Sequence, residues 1–305
     1  MINNQHAIHS FSMGAFVWWT GVVEDRNDPE KLGRLKIRFL GYHSDDKALI
    51  PSGDLHWAYP SQSITNAAMN GIGRSPTGMV EGSHCWGFFR DGHNAQDPVV
   101  CGTWGGIPAK AAVGSKGFND PNGKYPKSDH LNEPDTHRLA RGEKVSETIV
   151  QPKKDGIDTG VAIAFGGTWD EPETPYAAKY PYNHVTESES GHTFEVDDTP
   201  GAERIHQYHR SGSFEETHPD GTTVSKVVKD RYTIVAGDDF VHITGVANIT
   251  VSGDANIHVE GNTNVQTGGN HKEKVAGNYE LKIGGTCKVE SGGMMSFKAP
   301  RIDLN

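Results

Sequence analysis

Residues 235–297 read VAGDDFVHITGVANITVSGDANIHVEGNTNVQTGGNHKEKVAGNYELKIGGTCKVESGGMMSF, and glycine recurs in this repeat tract every eight residues. The repeat glycines are Gly237, Gly245, Gly253, Gly261, Gly269, Gly277, Gly285 and Gly293. A β-branched or small residue stands two positions before each glycine, and an apolar residue stands four positions after it everywhere except at Glu273. Because eight is even, these positions share one side of an extended chain, and polar residues take the other side. The tract therefore predicts β-structure with an apolar inner face.

A single strand of this length does not fit a compact domain, so we expect the tract to bend at each glycine. A ribbon bent at regular intervals has two unpaired edges, which need hydrogen-bonding partners. Three identical chains wound about one axis would pair these edges, with each repeat rising roughly 4.8 Å. We therefore predict a homotrimeric, triple-stranded β-helix. The alternative from the pattern alone is a monomeric solenoid.

The overall composition fits thin β-structures. The chain has 305 residues, 34% hydrophobic residues, 37 glycines and a formal net charge of −10. Such acidity argues against a sequence-independent nucleic-acid partner. Three widely spaced cysteines indicate neither a disulfide framework nor a zinc site. The apolar run at 15–19 is too short for a signal or membrane helix, so we expect synthesis and folding in the cytoplasm.

The chain divides into four predicted segments. Residues 1–13 are polar and predict a loosely ordered tail. Residues 14–106 contain about five β-type runs separated by turn residues, which indicates a small barrel. Residues 107–181 lose apolar periodicity and predict an extended linker, with a short helix over Arg141 to Val150. Residues 182–305 combine a strand-rich segment, with turns at 198–201 and 218–221, and the repeat tract.

Several motifs resemble one known family. They are GVVEDRNDPEKLGRLKIRFLG (21–41), ITNAAMNGIGRSPTGMVEGSHCWGFF (64–89), VVCGTWGGIP (99–108), SGHTFEVDDTPGAERI (190–205) and APRIDLN (299–305). The chain resembles the central baseplate spike of T4-like contractile-tailed phages, and 190–205 is also similar to the VgrG spike of type VI secretion. The resemblance implies an all-β chain with an N-terminal OB-type barrel and a C-terminal trimeric β-helix. It also implies a virion protein that mounts on a baseplate hub through the barrel and pierces the host outer membrane.

The sequence departs from this family at one place. The best-known members carry a lysozyme domain between barrel and β-helix, whereas residues 107–181 have linker composition. Glu143 and Glu147 are the nearest candidates for a glycosidase acid and nucleophile, but few apolar residues surround them. We therefore predict a structural protein that is not an enzyme. The alternatives are a spike with residual peptidoglycan-degrading activity and a VgrG-like secretion spike.

No cofactor or metal site is predicted. His206 and His209 are separated by an odd number of positions, which places them on opposite faces of a strand. These two residues, with His184 and His192, are interpreted as surface histidines of a polar strand. Trp86 and Trp104 are interpreted as core or interface aromatics of the barrel.

Two features of the repeat tract predict special sites. His271 and Glu273 share the parity of the apolar face, so three copies would form a polar layer at the axis, unless the face turns outward there. The last residues expose Met295, Phe297, Ile302 and Leu304 as a blunt apolar tip. The family resemblance implies a PAAR-type tip protein as the partner of this tip, and the alternative is that the last dozen residues cap the end themselves.

Overall fold

A computed structural model describes residues 17–68, 71–107, 118, 120, 123, 125, 130 and 132–303 of the chain. The predicted tail at 1–13 and the tip residue Leu304 lie outside these described residues. The chain forms two units, Met1–Asn248 and Ile249–Asn305, and the repeat tract begins in the first and continues through the second. Among the described residues, no helix is long and apolar enough to cross a bilayer.

The first element is a closed barrel of five strands, which confirms the predicted all-β barrel. The strands are β1 (Val17–Asp25), β2 (Leu35–Phe39), β3 (Trp57–Pro60), β4 (His84–Phe89) and β5 (Pro98–Thr103). Their order around the barrel is β1-β2-β3-β5-β4. All neighbours are antiparallel except β3 and β5, which run parallel. Two single 3-10 turns, at Ser52–Asp54 and Gly92–Asn94, lie in the connections.

The barrel interior follows the alternation of apolar residues along the strands. Trp19, Ile37, Phe39 and Phe89 are buried there, and the ring centroids of Trp19 and Phe39 lie 4.5 Å apart. Gly87 allows this packing, because a Cβ at this position would lie 1.9 Å from the Val99 carbonyl oxygen and 2.5 Å from Trp19.

Residues 138–169 carry short helices within the stretch for which we expected an extended linker. Helix α1 is Arg138–Arg141, a 3-10 turn spans Val145–Glu147, and α2 is Val150–Asp155. The single helix predicted over Arg141 to Val150 is wrong, since Gly142 adopts a left-handed conformation at φ 65° and ends α1 there. Two strands of two residues each, β6 (Val161–Ala162) and β7 (Thr168–Trp169), then pair as a small antiparallel ribbon.

A second, five-stranded sheet follows. Its strands are β8 (Asn183–Glu187), β9 (Thr193–Asp197), β10 (Arg204–Tyr208), β11 (Phe214–Thr217) and β12 (Thr223–Lys226). They form an antiparallel meander in sequence order. The predicted turns at 198–201 and 218–221 are confirmed, with Gly201 and Gly221 at positive φ. Leu139 of α1 and Val150 of α2 are buried, and α1 contacts β8.

Residues 227–303 form no β-strand pairing in the single chain. The backbone bends at each of the eight repeat glycines and the residue before it. Between two bends, Lys282 pairs with Glu280 two positions away at 2.7 Å, and side chains two positions apart share a side in an extended chain. The trimeric β-helix itself therefore stays a prediction.

Candidate assembly surfaces

Within one chain, nothing in the structure requires glycine at the eight repeat positions. None of the eight has a φ in the left-handed range, so their backbone conformation is open to other residues. A Cβ built on any of them meets no atom within 4 Å. One chain therefore gives neither a steric nor a backbone reason for glycine at every eighth residue.

The apolar residues of the repeat tract are uncovered in the single chain. Six of those placed two positions before a glycine are 46–56% exposed: Val235, Ile243, Val251, Val259, Val275 and Ile283. Seven of those placed four positions after one are 65–92% exposed: Val241, Ile249, Ile257, Val265, Leu281, Val289 and Phe297. A regular series of exposed apolar side chains this long is typical of an assembly surface.

The predicted special sites of the repeat tract are also exposed in the single chain. His271 and Glu273 are both solvent-accessible, and they lie two positions apart in the chain. At the end of the tract, Met295, Phe297 and Ile302 are exposed. These positions leave room for either a partner chain or solvent, so the polar layer and the tip surface stay predictions.

The barrel carries an aromatic face formed by Trp18, Leu40, Tyr42, Trp86 and Trp104. Four of these residues are substantially exposed, and only Trp86 is half-buried. The ring centroids of Trp18 and Trp86 lie 5.2 Å apart, and those of Trp86 and Trp104 lie 6.3 Å apart. The residues lining this shallow depression include no charged side chain. Of the two predicted alternatives, core or interface, the exposure of Trp104 excludes the core, and both tryptophans belong to a candidate interface.

A charge cluster lies on the buried face of the second sheet. Its members are Lys153, Asn183, Glu195, Arg204, His206 and Glu216, and all of them are buried. Arg204 joins the two carboxylates, donating to Glu195 at 2.6 Å and to Glu216 at 2.8 Å. Two acidic and two basic side chains thus balance inside the cluster.

Each carboxylate of the cluster has a full set of donors. Glu195 also accepts from Asn183 Nδ2 and His206 Nδ1, each at 2.8 Å. Glu216 accepts from Lys153 Nζ at 2.7 Å and Thr174 Oγ1 at 2.9 Å. Such complete pairing is what makes buried carboxylates tolerable in a protein interior.

These contacts keep both carboxylates ionised. Burial raises the pKa of Glu195, but the His206 hydrogen bond and the Arg204 charge outweigh it and lower the value to about 2. The pKa of Glu216 is likewise raised by burial and lowered overall to about 2, by Lys153 and Arg204. For His206, burial is the largest effect and lowers its pKa, so the imidazole is neutral.

The interpretation of His206 as a surface residue is therefore wrong, and the cluster was missed. Phe194 and Ile205 face outward on β9 and β10, while their neighbours Glu195 and His206 face inward. The sequence signal that could have identified this cluster is the presence of opposite charges at alternate positions of adjacent strands. As predicted from their spacing, His206 and His209 lie on opposite faces, His209 being exposed. In the part of the chain that the structure describes, no three His, Cys, Asp or Glu side chains converge for a metal ion.

The two carboxylates considered for glycan cleavage lie at the surface. Glu143 is bound by Arg141, and Glu147 by Arg138 at 3.0 Å. Their side chains are 62% and 54% exposed. This geometry is that of surface ion pairs, whereas a glycosidase needs two carboxylates that face each other across a cleft.

The fold defines an all-β protein with a closed five-stranded barrel of the OB type. The family described as Gp5 N-terminal OB domain matches residues 41–207, more than half of the chain, and the chain belongs to this family. Protein Gp5 of Vibrio phage KVP40 is 49% identical over 267 residues, which cover 77% of this chain and 63% of that protein. The pre-baseplate central spike protein Gp5 of Enterobacteria phage T4 is 40% identical over 153 residues, covering 47% and 26%. The chain thus spans less than two thirds of the length of either relative.

Proposed function

We propose that this chain is the structural central spike of a contractile phage tail. Three copies form a rod at the tip of the tail tube, and contraction drives the rod through the host outer membrane. The protein is then a component of the virion baseplate. The observation that carries this proposal is the repeat tract, whose apolar side chains are uncovered in one chain. The name of the T4 relative, a pre-baseplate central spike protein, supports the same function.

A trimer explains the features that one chain leaves unexplained. Three extended tracts wound about one axis bury both rows of apolar residues and pair every strand edge. Glycine at each bend lets the neighbouring chains approach closely. The outward Phe194 and Ile205 of the second sheet, 47% and 55% exposed, become covered by the other two copies. Laterally paired strands cannot separate one at a time, so the rod resists unfolding under load.

The aromatic face supports attachment of the barrel to a baseplate hub protein. Tryptophan and tyrosine are enriched in the centres of protein interfaces, and an uncharged lining favours an apolar protein surface over nucleic acid. At the other end, the exposed Met295 and Phe297 support a tip protein of the PAAR type as partner. The host membrane is a transient contact in this proposal, since the rod passes through the bilayer.

A glycan-cleaving spike is the second candidate function. It rests on the family's known lysozyme-bearing members, and the surface ion pairs of Glu143 and Glu147 argue against it. Clearing of a peptidoglycan suspension by the purified protein would establish this activity. A VgrG-like secretion spike is less favoured, since the relatives described above are phage proteins.

A cryo-EM reconstruction of the phage tail tests the proposal. We expect density for three copies of this chain on the tube axis, with the barrels against a ring of hub subunits and the tract pointing outward. A tail whose axial tip is built from another protein would overturn the proposal. A phage carrying Trp18→Ala and Trp104→Ala should lose the spike from its tails, whereas the exposed control Leu49→Ala should retain it.

A further inference from the structure

Lys153 links helix α2 to the second sheet. Lys153 donates from Nζ to Glu216 at 2.7 Å and to His206 Nε2 at 3.1 Å. The same ammonium lies 4.1 Å from the ring centroid of Phe214 on β11. Lys153 is therefore a buried anchor of α2 on the charged face of the sheet, and Val150 of the same helix is also buried.

The contact between Lys153 and His206 fixes the state of the imidazole. A lysine ammonium has three donors and no acceptor, so His206 Nε2 has to offer its lone pair. The proton of the neutral ring therefore lies on Nδ1, which donates to Glu195 at 2.8 Å. Adding a second proton to His206 would place an N–H against the ammonium of Lys153, and the contact would be lost.

We propose that Lys153 and His206 form an acid-sensitive latch, in which protonation of His206 displaces Lys153 and releases α2 from the sheet. Lys153 Nζ and His206 Nε2 cannot both present an N–H to each other at a separation of 3.1 Å in a buried site, so both groups cannot be positively charged there. At neutral pH the latch is closed. As the pH falls, the imidazole takes up a proton together with the departure of Lys153 and its helix, because the closed contact disfavours the charged ring.

The charged surroundings of His206 support this direction. Glu195 on β9 and Glu216 on β11 are both ionised and are matched by Arg204 on β10 and Lys153 on α2. Tyr176 packs on Arg204, whose guanidinium carbon lies 5.1 Å from the ring centroid, and burial raises the pKa of this phenol, so it stays neutral. A charged His206 would give the closed cluster a net positive charge, and departure of Lys153 restores the balance.

One other histidine touches the cluster. His218 Nε2 lies 3.4 Å from Glu216 Oε2, at the end of β11. Lys153 Nζ contacts the same carboxylate oxygen at 2.7 Å, so protonation of His218 is the alternative source of a pH-dependent release of the anchor. His218 therefore provides the matched control for His206.

The release should be local. Leu139 in α1 is held by contacts that involve neither Lys153 nor His206, because its carbonyl oxygen accepts from Tyr176 at 2.6 Å and from Asn183 at 3.2 Å. Residues 156–171 are tied to β12 through Lys226, which contacts Glu171 at 2.7 Å and Asp158 at 3.0 Å. Opening of the latch therefore frees α2 while α1 and the sheet stay in place.

Amide hydrogen exchange of the full chain between pH 7.5 and 5 tests the latch. After correction for intrinsic exchange, protection of the α2 amides should fall by up to about tenfold per pH unit as the pH is lowered, because opening takes up one proton. Amides of β9 and β10 should keep their protection over the same range. Flat protection of α2 in the wild-type protein would overturn the proposal.

Two variants assign the effect to the latch. His206→Gln keeps an acceptor for Lys153 without a titrating ring, and it should remove the pH dependence of α2 protection. His218→Gln should retain the wild-type dependence, and its loss in this variant instead would refute the role of His206. If His206→Gln does not fold, Lys153→Met serves, since α2 should then exchange quickly at every pH. Slow exchange of α2 in Lys153→Met would also contradict the latch.

Discussion

Arg204 lies between two buried carboxylates and donates to Glu216 at 2.8 Å while its other terminal nitrogen donates to Glu195 at 2.6 Å. All three side chains are almost inaccessible to solvent. Removal of the guanidinium would leave two carboxylates with one lysine between them. The second sheet is therefore held together on this face by charge pairing, where most sheets use apolar packing.

We expect Arg204→Met to lower stability strongly, by about 3–5 kcal/mol, because breaking a buried pair leaves an uncompensated charge. Thermal unfolding of the purified protein measures this as a lower melting temperature. Arg210→Met, at an exposed position just after β10, is the control and should change stability little. Equal melting temperatures for the two variants would show that the cluster contributes no stability.

The second sheet buries its polar face and exposes its apolar face, which explains why the charge cluster was not predicted from the sequence. The alternation of apolar and polar residues along β9 and β10 is recognisable in the sequence. The usual rule that apolar residues point inward, however, selects the face that is exposed in this sheet. Phe194 and Ile205 are exposed, and Glu195 and His206 are buried. For residues 138–155 the sequence predicts part of an extended linker with a short helix over Arg141 to Val150. The buried ion pair of Lys153 with Glu216 was not predictable there, because it gives no apolar periodicity.

The barrel was predictable because its alternation is conventional. Trp19 and Val23 on β1, and Ile37 and Phe39 on β2, are buried as their spacing indicates. The parallel pairing of β3 with β5 was not predictable, since it joins strands far apart in sequence. For the repeat tract, the sequence predicts pairing with other copies of the chain, which a single chain does not contain.

The repeat glycines provide a second prediction. Gly261→Val should lower the yield and the melting temperature of the trimer, although a Cβ meets nothing within 4 Å in one chain. The loss of stability would arise because the valine side chain meets the neighbouring chains where they approach the bend. Asn262→Val, on the polar side, should be nearly neutral. Equal effects at both positions would mean that the inner and outer faces are assigned wrongly.

Glu273 provides a third prediction. If His271 and Glu273 form a polar layer at the axis, three carboxylates are close together and repel one another. Glu273→Leu should then raise the melting temperature of the trimer by removing this repulsion and adding apolar burial. Glu280→Leu is the control at an exposed position outside this layer. A lower or unchanged melting temperature for Glu273→Leu would favour a side chain that points to solvent.

The tip provides a fourth prediction. A chain truncated after residue 298 loses Ile302 and Leu304 of the predicted tip, while the eight bends of the repeat tract remain. We expect it to form trimers and to fail to retain the tip protein in a pull-down, because the apolar platform is incomplete. Undiminished retention would place the binding surface elsewhere on the chain.

The central claim is that the repeat tract folds as a trimer. Sedimentation equilibrium of the full chain at micromolar concentration measures the oligomeric state directly. We predict a single species with three times the mass of one chain, which persists in mild SDS without heating because its strands are paired between chains. A folded monomer under these conditions would contradict the account, since the exposed apolar rows would then need no partner.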